Sequence, residues 1–419
     1  MRYLYSIGIG CYALGAKAAA LFNLKARQLI RGWKTTFGRL TMSPVGKGKT
    51  AWFHASSLGE FEQARPVLEA FRQQHPDYKV CVTFFSPSGF EVRKGYGQAD
   101  FVCYLPPDTR ANAVRFVNLL QPTVVFFAKY DFWFNYLEQL YRRGIPTYIF
   151  SSIFRPNQYF FAWYGGWFRG HLQRCFTHLF VQNDESLRLL KAHGIEQCSV
   201  AGDTRFDRVS AIASESRRFD EVEAFCARHA GRKVLVAGST WAPDERRLAA
   251  ALEQHPKDWL LVLAPHVISE SHLALIENDI FRHERCTRYS QIESADPASR
   301  VLVIDNIGML AHLYRYADAA YIGGGFGVGI HNVLEAVVFG KPVVFGPRYR
   351  RFKEACDLVA SGGAEALSAA PGALEPVLHR LLDDDDARRK ASDACLRYMA
   401  DNIGSTQTIL SIVNRHPAI

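Results

Sequence analysis

From residue 50 onward, short apolar runs alternate with polar, helix-prone segments, and this rhythm leaves few folds open to the chain. The runs lie at 50–56, 79–85, 101–105, 122–128, 146–151 and 178–182, with helix-like stretches such as 59–73 and 108–120 between them. Strands that alternate with helices in this way build βαβ units on a parallel sheet. After Gly202 the character changes: residues 205–232 are polar and helix-prone and offer no strand candidate. A second series then follows at 233–240 (KVLVAGST), 259–266 (WLLVLAPH), 301–306 (VLVIDN), 319–325 (AAYIGGG) and 342–347 (PVVFGP). The expected fold is α/β, with two doubly wound Rossmann-like halves, residues 41–204 and 233–419, and a linker at 205–232. Halves of this kind bind ligands in a cleft outside the carboxyl ends of their strands.

A length of 419 residues suits two domains better than one core. Residues 1–40 stand apart from both. Positions 3–24 are mostly apolar, and the uncharged part, Tyr3 to Ala16, is shorter than the roughly 20 residues that a spanning helix needs. Lys17, Lys25, Arg27, Arg31, Lys34 and Arg39 interrupt or follow it, whereas a cleaved signal peptide carries its charge in front. The expected element is an N-terminal membrane-associated helix, an in-plane or shallow anchor with its basic residues against anionic inner-membrane lipid on the cytoplasmic side. The net charge of +9 suits a partner bearing phosphates or carboxylates. The nine cysteines are odd in number and include no C-x-x-C pair, so they read as reduced thiols of a cytosolic protein, not as a disulfide framework or zinc site.

Several motifs carry or only mimic chemistry. The stretch H-A-S-S-L-G-E (54–60) leads from a strand into a helix, with Ser57, Gly59 and Glu60 at the turn. Glu60 is either an ordinary helix-start carboxylate or a base for a substrate hydroxyl, and Gly59 permits close approach of another molecule. Gly48-Lys49-Thr50 resembles the end of a phosphate loop, but Ser43 replaces its first glycine and a strand follows instead of a helix. The run G-G-G-F-G-V-G (323–329) does not fit G-x-G-x-x-G in any register, and the D-x-D within Asp383 to Asp386 reads as a solvated helix start. The glycine run is informative nonetheless. It separates a strand from the helix-like H-N-V-L-E-A-V-V-F, so a ligand phosphate is expected to meet backbone N–H groups there. Glu335, three residues after Asn332 on the same face, suits the hydroxyls of a ribose. Gly238-Ser239-Thr240, Pro265-His266 and Asp305-Asn306 with Gly308 end successive strands of the second half. Each alone is a possible cap or turn, and their repetition argues for a site.

In this order and spacing the motifs resemble the 3-deoxy-D-manno-octulosonic acid (Kdo) transferases of lipopolysaccharide synthesis. The matching elements are S-L-G-E (57–60), G-D-T-R-F-D-R (202–208), G-S-T-W with D-E (238–245), A-P-H (264–266), D-N-I-G (305–308), G-G-G-F-G-V-G-I-H-N-V-L-E-A (323–336) and G-K-P-V-V-F-G-P (340–347). The resemblance implies a glycosyltransferase of the B type that passes Kdo from CMP-Kdo to the lipid A precursor (lipid IVA), with no metal and no cofactor. It implies Glu60 as general base, and Gly238, Ser239, Thr240, Pro265, His266, Asn306, Gly308, Gly325, Asn332 and Glu335 on the donor side. Asp131, Arg205 and Arg348, with Arg350, Arg351 and Lys353, are further candidates near acceptor or phosphate. Two departures stand out: Pro265 where members often have arginine, and A-K-Y-D-F-W-F-N (128–135) where many have E-x-E before W-P-N. The rival enzyme is another two-domain sugar-nucleotide protein, a lipid-linked hexosamine transferase or an epimerase. A non-catalytic lipid or nucleic-acid binder has no use for a carboxylate base, so nucleic acid is not an expected partner.

Overall fold

The computed structural model describes residues 2–229, 231–254 and 259–419. They divide into two compact units, one of residues 1–208 with 403–419 and one of residues 209–402.

The first unit is built on seven parallel strands: β1 (Thr50–Ala55), β2 (Lys79–Phe84), β3 (Phe101–Tyr104), β4 (Val124–Ala128), β5 (Thr147–Ser152), β6 (His178–Val181) and β7 (Cys198–Val200), in the order β3-β2-β1-β4-β5-β6-β7. The central strands are apolar on both faces because both are covered. Trp52, Val125 and Phe127 pack into the core on one side of the sheet. Phe53 and Phe126 pack on the other, their rings stacked 4.5 Å apart. The second unit repeats the plan with β8 (Lys233–Thr240), β9 (Trp259–Pro265), β10 (Cys286–Arg288), β11 (Val301–Val303), β12 (Ala319–Ile322), β13 (Val343–Phe345) and β14 (Ala364–Ala366), in the order β10-β11-β9-β8-β12-β13-β14. Strand order reverses beside β1 and beside β8, and at such switch points the chain leaves adjacent strands in opposite directions and opens a crevice. The two doubly wound sheets are those expected.

The division of the chain differs from the expected one in three places. The stretch 205–232 is no free linker: the boundary falls inside the helix Arg205–Ser214, and Phe219, Val222 and Phe225 beyond it are buried in the second unit. The chain also returns. Helix Ser405–Val413 belongs to the first unit, where Ile409, Leu410 and Val413 join the core with Phe61 and Phe71. Asp207 fixes its start, accepting from Gly404 N (2.7 Å) and Thr406 N (2.6 Å). At about 1.5–3 kcal/mol per fully buried aliphatic side chain, those three residues hold the helix strongly. Thirdly, residues 1–40 are not one element. Helix α1 (Arg2–Ala19) is followed by α2 (Leu24–Thr41), whose Leu29, Trp33, Thr36 and Leu40 are buried against the body of the unit. Among the described residues no helix is long and apolar enough to cross a membrane.

The decoys resolve as local structure. The Asp383–Asp386 run starts the helix Asp385–Asn402, with Asp384 Oδ1 accepting from the N–H groups of Asp386 and Ala387, each at 2.9 Å. Gly48 and Thr50 form the turn into β1. All nine cysteines are free.

Candidate active site

In the first unit, the carboxyl ends of β1 and β4 gather two carboxylates with hydroxyls and a buried imidazole. Ser57 caps helix α3 (Leu58–Gln74): its Oγ accepts from Glu60 N at 3.4 Å, and its own N–H donates to Glu60 Oε2 at 3.0 Å. Ser57 and Glu60 form a reciprocal capping box, a spacing that was open to reading in the sequence. Glu60 is thus a helix-start carboxylate in place, and its environment adds more. Burial pushes its pKa up, against the backbone N–H groups of Ser57 and Ser56 and the charge of Lys129, which pull it down. A carboxylate whose proton affinity is raised in this way is suited to accept a proton near neutral pH. A Cβ added at Gly59 would meet nothing within 4 Å, so its own chain does not require glycine there.

Asp131 lies beside Glu60. Its oxygens accept from Ser56 N (3.0 Å) and Ser56 Oγ (2.5 Å). Burial, and after it the charge of Glu60, raise its pKa well above the usual carboxylate range. His54 Nε2 comes within 3.5 Å of Asp131, but this is not an ion pair. The Trp133 indole N–H, which can only donate, occupies Nε2 at 2.9 Å, so the imidazole proton sits on Nδ1 and points to Thr83 Oγ1 at 2.7 Å. Burial holds His54 neutral, its pKa lowered to about 3. Two carboxyls therefore share a site, with the charge of Lys129 acting on Glu60, and such a pair titrates as a unit. Glu62, by contrast, is ion-paired to Arg93 (2.5 Å) and Arg208 (3.2 Å). Arg205 is turned onto Asp203 at 2.8 Å.

In the second unit the site is made largely of backbone. A Cβ on Gly323 would lie 2.2 Å from Ser239 O, and one on Gly325 would lie 2.5 Å from Gly346 N. These two glycines let main chains cross at contact, a reason different from the expected approach of a phosphate. Asp244 pins the run, accepting from Gly324 N (3.0 Å), Trp241 N (3.0 Å) and the Tyr321 hydroxyl (2.8 Å). Arg348 fastens its far side, through its N–H to Gly325 O (3.0 Å) and its guanidinium to Gly327 O. Beside it Val328, Pro347, Arg348, Arg350 and Arg351 line a notch of about 340 Å³. The helix expected over 331–339 is only Leu334–Val337. The expected neighbours within it do meet: Asn332 Nδ2 donates to Glu335 Oε1 at 3.0 Å.

His266, exposed at the end of β9, is stacked between Trp241 (4.5 Å between ring centroids) and His331 (4.7 Å), so only its edge is open. Thr240 and Pro265 are buried, and the Thr240 hydroxyl donates to the buried Glu245 at 3.1 Å. Neither offers a ligand contact as it stands. Asn306 and Gly308 are exposed on the loop after β11. Asp305 before them accepts from Ser290 N at 3.0 Å and from its hydroxyl. Gly238 packs under Tyr314, whose hydroxyl would lie 2.0 Å from an added Cβ.

The match to known proteins follows this geometry. Residues 31–208 fit the family model described as 3-deoxy-D-manno-octulosonic-acid transferase (kdotransferase). The 3-deoxy-D-manno-octulosonic acid transferase of Bordetella pertussis is 27% identical over 434 aligned positions, covering 96% of this chain and 98% of the relative. The chain is similar to the Kdo transferases over most of its length. The Haemophilus influenzae Kdo transferase is 26% identical, covering 86% of each chain. Among solved structures, the UDP-GlcNAc 2-epimerase of Neisseria meningitidis bound to UDP-GlcNAc superposes with a TM-score of 0.62 at 15% identity, covering 88% of this chain and all of that one. That likeness is one of fold, the two-domain architecture of B-type glycosyltransferases.

The residues that sequence reasoning missed are instructive. Asp244 and Glu245 lay in a quoted motif without a role, and both prove to be buried supports of the second unit's site. Lys129 (φ 65°), Ser151 (φ 54°) and Ser239 (φ 54°) hold left-handed backbone at the carboxyl ends of β4, β5 and β8. Such conformations cost about 1–3 kcal/mol each and gather at functional sites. No residue type in the sequence signals them. Among the described residues no group of three or more His, Cys, Asp or Glu is placed to hold a metal ion.

Proposed function

We propose that this protein transfers Kdo from CMP-Kdo to the lipid A precursor lipid IVA, with Glu60 as general base. The observation that carries the reading is the half-buried Glu60 carboxyl, raised in pKa beside Asp131, in a chain similar to Kdo transferases along most of its length. The acceptor hydroxyl gives its proton to Glu60 as its oxygen bonds to the anomeric carbon of the sugar. CMP leaves with the electrons of the broken bond. The glycine run, with Arg348, Arg350 and Arg351 beside it, supplies backbone N–H groups and positive charge for the departing phosphate, so the displacement needs no metal. Asn332 holds Glu335 for the hydroxyls of the nucleoside. The protein works at the cytoplasmic side of the inner membrane, where α1 lies flat on anionic lipid close to the lipid acceptor.

The test is direct. Purified protein with CMP-Kdo and lipid IVA, in EDTA, is expected to yield a product heavier by one Kdo residue or more in the mass spectrum. Absence of transfer, restoration only by magnesium or manganese, or use of a UDP-sugar in place of CMP-Kdo overturns the proposal.

A further inference from the structure

Nine of the 50 Lys and Arg, and none of the 41 Asp and Glu, lie in the first 59 residues, so the remaining 360 residues balance at 41 of each. The whole net charge of +9 therefore belongs to α1, α2 and the turn after them. Lys17, Lys25, Arg27, Arg31 and Lys34 are all exposed. On α1, Tyr5, Ser6, Ile9, Gly10, Ala13 and Ala16 are partly covered, and spacings of three and four place them on one face. The opposite face offers Tyr3, Leu4, Ile7 and Leu14 to solvent, each at least 62% exposed, and Phe22 follows at 91%. The covered face is latched: the Tyr5 hydroxyl donates to buried Asp108 at 2.6 Å, and its ring meets Phe134 edge-on at 5.1 Å.

The same ring lies 6.2 Å from Trp167, which places the turn before helix Gly166–Cys175 beside the first half of α1. In that turn Trp163 is 94% exposed, with Tyr164 at 50%. The turn is not loose. Phe160 is buried within it, Gly165 N donates to Ala162 O at 2.8 Å, and Arg169 Nη1 donates to Phe160 O at 2.8 Å and to Ala162 O at 3.3 Å. A Cβ on Gly165 would strike Tyr159 O at 2.3 Å, so the backbone is drawn tight beneath the indole. A firm turn that holds a tryptophan into solvent, next to an apolar helix face and an unbalanced basic surface, has the chemistry of a bilayer interface.

We propose that the 159–164 turn is a second membrane-contacting point, and that Trp163 inserts into the anionic lipid surface on which α1 lies. This rests on the membrane reading of α1 and adds a contact in a separate part of the sequence. Two points of contact fix the first unit's orientation on the lipid, which one in-plane helix leaves free to roll.

The experiment uses the full chain and vesicles of phosphatidylglycerol and phosphatidylethanolamine. Because Trp163 packs against little, W163S should fold as the parent does, checked by thermal unfolding. Burying even half of a tryptophan's roughly 200 Å² favours partitioning by more than tenfold, so W163S should lose about tenfold or more in vesicle binding. Brominated lipid should quench the parent more than W163F, the difference reporting Trp163. Unchanged binding of W163S with equal quenching overturns the proposal. If the triple substitution of Leu4, Ile7 and Leu14 by serine then abolishes binding, the α1 reading stands alone; if it also leaves binding intact, both fall. Self-association of the parent without vesicles, lost in W163S, would instead make the turn a contact between copies and equally overturn the lipid assignment.

Discussion

The two units share a strand order and build their sites by opposite means. In the first, the chemistry sits on side chains: Glu60, Asp131 and Ser56 cluster at strand ends, over a chain of half-buried Trp133 and buried His54, Thr83 and Trp52 joined by hydrogen bonds. In the second, the candidate contacts are largely main chain, with glycines packed against one another and Asp244 and Arg348 fastening them. A side-chain site should lose function without losing structure when a single atom changes. A backbone site should lose both together.

The largest expected effect tests the first half of that contrast. Glu60→Gln keeps the shape of the capping box, since an amide oxygen still accepts from Ser57 N, but removes the base. Positioned general bases contribute roughly 10²–10⁴-fold, and a loss of that order in turnover is expected with thermal stability and CMP affinity nearly unchanged. Near-normal turnover would leave Glu60 as a helix cap alone.

Gly325→Ala tests the second half. Its methyl would lie 2.5 Å from Gly346 N, and backbone on both sides has to move. Overpacking of this kind costs roughly 1–3 kcal/mol. The expected result is a lower melting temperature together with a donor Kd weakened by about tenfold or more, read by calorimetry with CMP. A stable variant with unaltered CMP affinity would show that the run is not the donor site.

Much of this contrast was legible beforehand, and what escaped did so for physical reasons. Every strand buried on both faces announced itself, because continuous apolar runs such as Val124–Ala128 have no other use between turn signals. The three missed strands, β7, β10 and β14, are sheet edges of three residues each, with polar members such as Ser199, Arg288 and Glu365. Three residues with a polar member carry too short an apolar signal to read, whereas the edge strand β3, apolar and buried along all four residues, was legible. The return of residues 403–419 to the first unit was hidden because Ile409, Leu410 and Val413 show that the helix has an apolar face without showing which core receives it. In the site, the capping-box spacing and the Asn332–Glu335 pair are local and were open to pattern reading. The Asp131–Glu60 pairing joins residues 71 positions apart and depends on register between β1 and β4.

Asp131→Asn sharpens the side-chain account. Burial raises Glu60, and the charge of Glu60 adds to the rise of Asp131, so Glu60 gives up its proton beside a still neutral Asp131 and the acidic limb of the turnover–pH profile should stay in place in Asp131→Asn. Stability gives an independent sign. Because the folded-state pKa of Asp131 is raised, the folded protein keeps a proton that the unfolded chain releases. That contribution declines as pH rises above the ordinary carboxylate range. Asp131→Asn lacks this decline, and should gain in stability relative to the parent as pH increases from about 4 towards neutrality. An acidic limb that moves, or no change in relative stability over that range, would show that Asp131 does not hold the proton.

The smallest effect is expected two positions from the largest. Glu62 follows Glu60 on α3 but points to Arg93 and Arg208, and at 30% side-chain exposure its ion pairs are screened by water. Glu62→Gln removes the charge, keeps one hydrogen-bond acceptor for either guanidinium, and leaves Ser57, Ser56 and Asp131 untouched. Partly exposed pairs contribute about 0.2–1 kcal/mol, so the melting temperature should fall by a few degrees at most and by less at high salt, where the parent pairs are already weakened. Turnover should stay near that of the parent at every pH. A tenfold drop in turnover at unchanged melting temperature would mean that Arg93 or Arg208 must be held by Glu62 for the reaction itself. The first unit's site would then extend from the β1–β4 carboxylates to the helix Arg205–Ser214, where the chain passes from one unit to the other.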